Sequence, residues 1–222
     1  HAIMIPKTDD GRVLFAVPWR GKVVVGTTDT LIEEASLEPR ALESEIEFVL
    51  NTAGRYLTRP PKRSDVRSIF AGLRPLAAPE GDDKKTKEIS RSHKVMVSLS
   101  GLVTITGGKW TTYRKMGQDT IDKASLVGGL DDRDCITENL PLHGFLKNMD
   151  MDDHLYVYGS DAKAIKDMMI DHPEMAEQLH DQMDFTVAEV VWACREEMAI
   201  TLDDVLARRV RALYLDARAA IE

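Results

Sequence analysis

No apolar run in this sequence approaches the roughly 18–20 residues that a membrane-crossing helix requires, so no spanning anchor is expected within it. Cysteine is scarce. The two present, Cys135 and Cys194, form no Cys-x-x-Cys pair, which argues against a thiol-redox motif or zinc ribbon and predicts buried thiols in a reducing compartment. Cys194 in particular falls on the apolar face of a helical pattern. The six histidines show no His-Glu-x-x-His spacing, so no structural zinc is expected. No Gly-x-Gly-x-x-Gly motif occurs, and no other glycine-rich phosphate loop replaces it. The adenosine and pyrophosphate ends of a dinucleotide therefore lack their usual cradle here. Positive charge is in deficit, 29 Lys and Arg against 37 Asp and Glu, for a net charge of −8. That argues against a bulk nucleic-acid binder, while leaving room for a local basic patch. No secretory signal pattern is visible at the start.

What remains is globular in composition, with 43% hydrophobic and 30% charged residues. A chain of 222 residues can bury a sizeable core in one or two domains. It opens directly in an apolar run without an initiator methionine, as a piece of a longer protein would.

The stretch with most chemical content is Gly107-Gly108-Lys109-Trp110-Thr111-Thr112-Tyr113-Arg114-Lys115. Leu102 to Thr106 reads as a strand, the glycines break it, and Tyr113, Met116, Thr120, Ile121 and Ala124 then recur at helical spacing. Thr111 or Thr112 suits the N-cap. The first N–H groups of a helix lack internal partners, and that end favours negative charge. With glycines permitting close approach and Lys109 alongside, the turn is suited to an anion or to a group that becomes anionic. An ordinary strand-to-helix turn with a solvated lysine has the same pattern.

Elsewhere, Val13–Trp19 and Val23–Thr27 follow the opening strand as a β-meander. Gly26-Thr27-Thr28-Asp29 closes it as a structural turn. An amphipathic helix runs from about Pro39 to Leu57, with Leu42, Ile46, Val49, Leu50, Ala53 and Leu57 on one face. From Asp65 the chain is expected to return to strand. Arg74 sits before Pro75, where its planar fork suits a phosphate or carboxylate. Residues 79–87 read as a hairpin loop. A strand pair at 95–99 and 102–106 follows, with His93 as an exposed strand residue. The helix from Thr112 stops at Gly128-Gly129, and 130–150 reads as a linker. The last third is expected to be helical, with capping-box spacings at Thr186–Glu189 and Thr201–Asp204. Its final helix carries Arg208, Arg209, Arg211 and Arg218. These read as arginines ion-paired with Asp203, Asp204 and Glu197, in preference to a lipid-facing basic strip.

The strings AGLRPL (71–76) and GGKWTTYRK (107–115) together resemble the FAD-dependent glycerol-3-phosphate dehydrogenases and the related glycerophosphate oxidases. VPWRGKVVVGTTDT (17–30) and EVVWACREEMAITLDDVLARRVRALYLDA (189–217) resemble the same family, and the four occur in family order. The resemblance implies an α+β fold. Residues 1–128 would form an antiparallel sheet with packed helices, part of a flavin-oxidase substrate domain. Residues 129–222 would form a linker and a small all-helical C-terminal domain.

It also implies oxidation of sn-glycerol 3-phosphate to dihydroxyacetone phosphate, with FAD as cofactor and quinone or oxygen as electron acceptor. By the same resemblance, Arg74 and Arg91 bind the substrate. Gly108, Lys109, Trp110, Thr111 and Thr112 contact the flavin. Lys109 and His1 serve catalysis, His1 as the proton acceptor unless it is the remnant of a purification tag. The expected location is the cytoplasm, peripheral on the inner face of the cell membrane. The flavin site would be incomplete and the isolated chain inactive. Two other readings stand beside this one. In the first, the chain belongs to a flavin-dependent amine or amino-acid oxidase and presents Arg74 to a carboxylate. In the second, it is a non-catalytic interaction module using the capped helices of 160–222.

Overall fold

The computed structural model describes residues 1–9, 11–74 and 92–222. Contacts group the chain into two compact units, one built from residues 1–72 with 144–222 and the other from 73–143.

In the first unit, β1 (Ile3–Ile5), β2 (Leu14–Trp19) and β3 (Lys22–Gly26) form an antiparallel sheet in the order β1-β2-β3. The expected meander is present. The β2–β3 turn is tight, pairing Trp19 with Lys22, and it places Arg20 and Gly21 at φ 45° and 72°. Helix α1 (Glu43–Gly54) lies against this sheet. It begins later than Pro39 because Glu45 turns back to accept the Leu42 N–H at 2.9 Å and the Thr30 hydroxyl at 2.6 Å. Ile5, Leu14 and Ala53 form the buried centre, with Phe48, Val49 and Leu57 packed around it.

The segment from Val66 to Arg74 has neither strand nor helix. This corrects the expected return to strand. Within it, Arg67, Ser68 and Phe70 bond to and pack against Leu213 to Ala217.

The later part of the unit is mainly helical. A 3₁₀ stretch (His154–Asp161) leads into α3 (Ala162–Asp171), and α4 spans Val187–Arg195. Between them lies a hairpin absent from the sequence expectation, β6 (Gln178–His180) paired with β7 (Met183–Thr186). The expected single final helix is also corrected. It is a π-helical turn at Asp204–Arg209, then α5 (Ala212–Leu215) and α6 (Ala217–Ile221), broken where Arg211 adopts φ 64°. Met183, Phe185, Ala193, Val205, Val210 and Leu215 bury together, and Trp19 of β2 packs on them. Arg20 lies over the Tyr156 and Phe185 rings at 5.6 and 5.3 Å. These contacts join the first 72 residues to the last 79 in one unit.

Both capping-box spacings are structural. Thr201 N–H donates to Asp204 Oδ2 at 2.9 Å, and Asp204 N–H donates back to Thr201 Oγ1 at 3.2 Å. The bond from Thr201 N–H, with one from Ile200 N–H, holds the Asp204 carboxyl well below the usual carboxylate range. At the other box the Glu189 carboxylate is fully buried. It accepts Thr186 N–H at 2.8 Å, the Thr186 hydroxyl at 3.3 Å and Tyr158 Oη–H at 3.1 Å. His154 Nε2 lies 3.5 Å away. Burial outweighs these donors and pushes the Glu189 carboxyl above its ordinary range.

The face of α4 also differs from expectation. Ala188, Glu189 and Ala193 are buried, and Cys194 is exposed. The buried face is set one position away from the apolar pattern, because small residues and a bonded carboxylate fit against α3 and its neighbours.

The final arginines pair as expected where partners are in reach. Arg208 meets Asp204 at 2.9 Å, and Arg209 bonds the Glu197 carbonyl and lies 3.8 Å from its carboxylate.

The second unit holds β4 (His93–Val97), β5 (Val103–Gly107) and α2 (Tyr113–Gly128), which ends at Gly129 in the left-handed region. None of its described residues is buried. Among the described residues, no helix in either unit is long and apolar enough to cross a membrane.

Because folding raises the pKa of Glu189, the native state holds the extra proton. Stability from this group is full below the ordinary carboxylate range and is lost as pH rises through the raised value. Urea unfolding midpoints of the wild type and Glu189→Gln, compared from pH 4.5 upward, should therefore converge or cross as pH rises, with the wild type losing ground.

Candidate functional site

The turn that ends β5 is built by two consecutive glycines in the left-handed region, Gly107 at φ 73° and Gly108 at φ 84°. A side chain is strained there. A Cβ on Gly108 would also lie 2.5 Å from Met116 Sδ and 3.2 Å from His93 Cβ. Lys109 follows in extended geometry, and a 3₁₀ turn (Trp110–Thr112) runs directly into α2. Lys109 N–H donates to Thr112 Oγ1 at 3.3 Å, while Thr112 N–H and Oγ–H both return to the Lys109 carbonyl at 2.9 and 3.0 Å. Among the described residues, that leaves Trp110 N–H and Thr111 N–H as the donors on offer at the helix start. The indole of Trp110 is 86% exposed and stacks on Tyr113 at 5.5 Å. The Lys109 side chain is exposed beside them.

This turn is held by a cluster that the sequence reading missed. His93 pairs with Gly107 across β4–β5, and its Nε2 meets Asp119 Oδ2 at 2.8 Å. Lys115 reaches the other Asp119 oxygen at 2.8 Å. Those two bonds, Lys115 first, hold the Asp119 carboxyl below its ordinary value. His93 is thus half-buried and bonded rather than an exposed strand residue. The Lys115–Asp119 spacing of four was readable on the helix. The third partner needed the strand register.

The remaining expected site residues are less concentrated. His1 is exposed ahead of β1 and belongs to the first unit. Arg74 is exposed and belongs to the second, as does Lys109. Arg91, Pro75-Leu76 of the AGLRPL string and the loop at 79–87 lie outside the described residues. Among the described residues, no group of His, Cys, Asp and Glu could hold a metal ion.

The free donors at Trp110 and Thr111, next to a glycine backbone that a ligand can approach, fit the electron-accepting edge of a flavin, where negative charge collects. Nothing in the sequence fits the pyrophosphate end. A turn of this kind, without a pyrophosphate cradle, is what one end of the cofactor site of a flavin-dependent oxidoreductase would present.

Comparison with known proteins gives the same class. A family model described as FAD dependent oxidoreductase matches residues 2–114, and one described as C-terminal domain of alpha-glycerophosphate oxidase matches residues 103–222. The chain belongs to the FAD dependent oxidoreductase family, and its second half to the family of alpha-glycerophosphate oxidase C-terminal domains. It is 36% identical to a probable mitochondrial glycerol-3-phosphate dehydrogenase of Caenorhabditis elegans, over 99% of this chain and 33% of that protein. It is 37% identical to the mitochondrial glycerol-3-phosphate dehydrogenase SDP6 of Arabidopsis thaliana, over 98% of this chain and 39% of that protein. The chain thus spans only a third to two fifths of these relatives' length. A crystal structure of glycerol-3-phosphate dehydrogenase from Bacillus halodurans, complexed with FAD, matches with a TM-score of 0.76 and 26% identity, over 98% of this chain and 46% of that one.

Gly108→Ala should cost about 1–2 kcal/mol for the left-handed backbone alone. Thermal or urea unfolding measures this directly, and an equally stable variant would contradict the geometry of the turn.

Proposed function

We propose that this chain is the substrate-facing and C-terminal portion of a flavoenzyme that oxidises sn-glycerol 3-phosphate to dihydroxyacetone phosphate. One observation carries the reading: the glycine turn at 107–112, with two free N–H donors at a helix start, lies in a chain that aligns almost throughout with relatives named glycerol-3-phosphate dehydrogenase.

Bound FAD supplies the hydride acceptor. The chain's own residues bind and orient. Arg74, assisted by Arg91, holds the substrate phosphate through paired charge-assisted bonds. Lys109 polarises the substrate's C2 oxygen, and His1 takes the hydroxyl proton. The backbone from Gly108 to Thr112 supplies N–H groups, those of Trp110 and Thr111 foremost, where negative charge develops. Being fixed beforehand by the Lys109–Thr112 bonds, they need not reorganise during the reaction.

We place the division between the substrate-and-flavin portion and the C-terminal portion at 128/129, where α2 ends. That none of the second unit's described residues is buried favours its being covered in a longer protein. This chain alone would be inactive. Its electrons would pass to quinone or oxygen, with the enzyme in the cytoplasm, peripheral on the inner face of the membrane. The absence of a crossing helix among the described residues is compatible with that placement.

In the full-length enzyme, Arg74→Ala should raise KM for glycerol 3-phosphate about ten- to a hundredfold, the worth of a charged hydrogen-bond pair. An unchanged KM would contradict the assignment, and turnover of an amino acid in place of glycerol 3-phosphate would favour the amine-oxidase reading.

A further inference from the structure

The glycines at 107 and 108 leave the direction of α2 weakly specified by the backbone alone, because glycine has so many conformations open to it. Side chains supply the missing constraint. His93 stands opposite Gly107 in the β4–β5 ladder. Its Nε2 meets Asp119 Oδ2 at 2.8 Å, across the turn and on the second unit's helix. Lys115, one helical turn earlier, holds the other oxygen at 2.8 Å. The two bonds are not equal. The His93 and Asp119 side chains are 21% and 32% exposed, while Lys115 is 53% exposed. A pair as open as Lys115–Asp119 contributes little.

The Asp119 carboxyl is held below its ordinary value, by Lys115 first and His93 second. An ionised carboxylate only accepts hydrogen bonds, so the proton of the shielded bond sits on His93 Nε2. The bond thus runs from β4 to α2 with donor and acceptor assigned.

We propose that Asp119 is a positioning residue: through His93 it locks the start of α2 onto the β4–β5 ladder and so aims the Trp110 and Thr111 N–H groups, a role that rests on those groups facing the flavin. Every part lies within the unit of residues 73–143. Asp119 is seven residues beyond Thr112, a span of roughly 10 Å along a helix. Over that span a tilt of about 10° moves one end against the other by about 2 Å, which is enough to lose an N–H···O bond. Donors held against such a tilt favour the reduced over the oxidised cofactor without reorganising.

The test separates geometry from charge in the full-length enzyme. Asp119→Asn removes the charge and keeps an oxygen for His93 Nε2–H. His93→Phe keeps the charge and removes the bond. Asp119→Ala removes both. The Lys109 and Thr112 amides are bonded within the turn. In the FAD-free protein their hydrogen exchange should quicken several-fold in Asp119→Ala and His93→Phe and stay near wild type in Asp119→Asn. In the FAD-loaded protein the midpoint potential, titrated against a redox dye, should fall in His93→Phe by about 30 mV, which is a tenfold loss of preference for reduced over oxidised FAD in a two-electron couple. Asp119→Ala should lie below Asp119→Asn by a similar step. His93→Gln, whose amide can donate to Asp119, should recover part of the fall.

Equal potentials in Asp119→Ala and Asp119→Asn would mean that only the charge acts, and overturn the proposal. Lowered thermal stability with exchange and potential unmoved does the same. If Asp119→Ala does not fold, His93→Phe against His93→Gln decides by the same potential criterion. Trp110→Pro checks the underlying reading. Lys109 is extended and so tolerates a following proline, which removes the Trp110 N–H where a helix start accepts proline. A potential below that of Trp110→Ala, with the Asp119 and His93 variants unmoved, overturns the positioning role alone. Equal potentials in Trp110→Pro and Trp110→Ala overturn the flavin-facing reading and the positioning role with it.

Discussion

Gly107 and Gly108 turn the chain out of the β5 ladder through two successive left-handed backbone positions and deliver it into the start of α2. Every other feature of the candidate site follows from that turn. It brings Lys109 N–H against the Thr112 hydroxyl, so one helix-start donor is satisfied internally and two are left for a ligand. It sets His93 opposite Gly107, where the imidazole reaches Asp119 one helix turn beyond Lys115. A Cβ at Gly108 would have to displace the Met116 thioether and crowd His93, on top of the strain of the left-handed backbone.

A second constraint acts on the other unit. The first 72 residues and the last 79 share a core, and the ties between them are polar as well as apolar. Trp19 packs among residues of the C-terminal helices, while Arg67, Ser68 and Phe70 reach Leu213 to Ala217 across some of the longest separations in the chain. Glu189 shows the same economy of parts. One buried carboxylate fastens the entry to α4 and reaches the 3₁₀ stretch through Tyr158, at the cost of an elevated pKa.

Local signals in the sequence were reliable where a structure depends on neighbours. The meander, the strand pair before the double glycine, the stop at Gly129 and both capping boxes are present. Signals failed where distant contacts decide. Val66 to Arg74 is apolar enough to read as strand, but Arg67 to Phe70 are tied to residues about 145 positions away in place of a neighbouring strand. The β6–β7 hairpin offers only Met183-Asp184-Phe185 as alternation, too short to stand out. Val205 to Tyr214 keeps helical spacing, yet Arg211 takes a left-handed conformation without a glycine to announce it. Hydrophobic periodicity alone puts Cys194 inside, while the packing buries Ala188, Glu189 and Ala193. At the site, Lys109 to Thr112 could be read from the glycines and the cap. The His93 contribution could not, because it depends on register.

The most direct measurement is an anaerobic visible spectrum of the full-length protein carrying FAD, recorded before and after addition of glycerol 3-phosphate and, separately, of a panel of amino acids. Bleaching of the flavin band by glycerol 3-phosphate alone is the predicted result. A band that bleaches with an amino acid and persists with glycerol 3-phosphate would contradict the account.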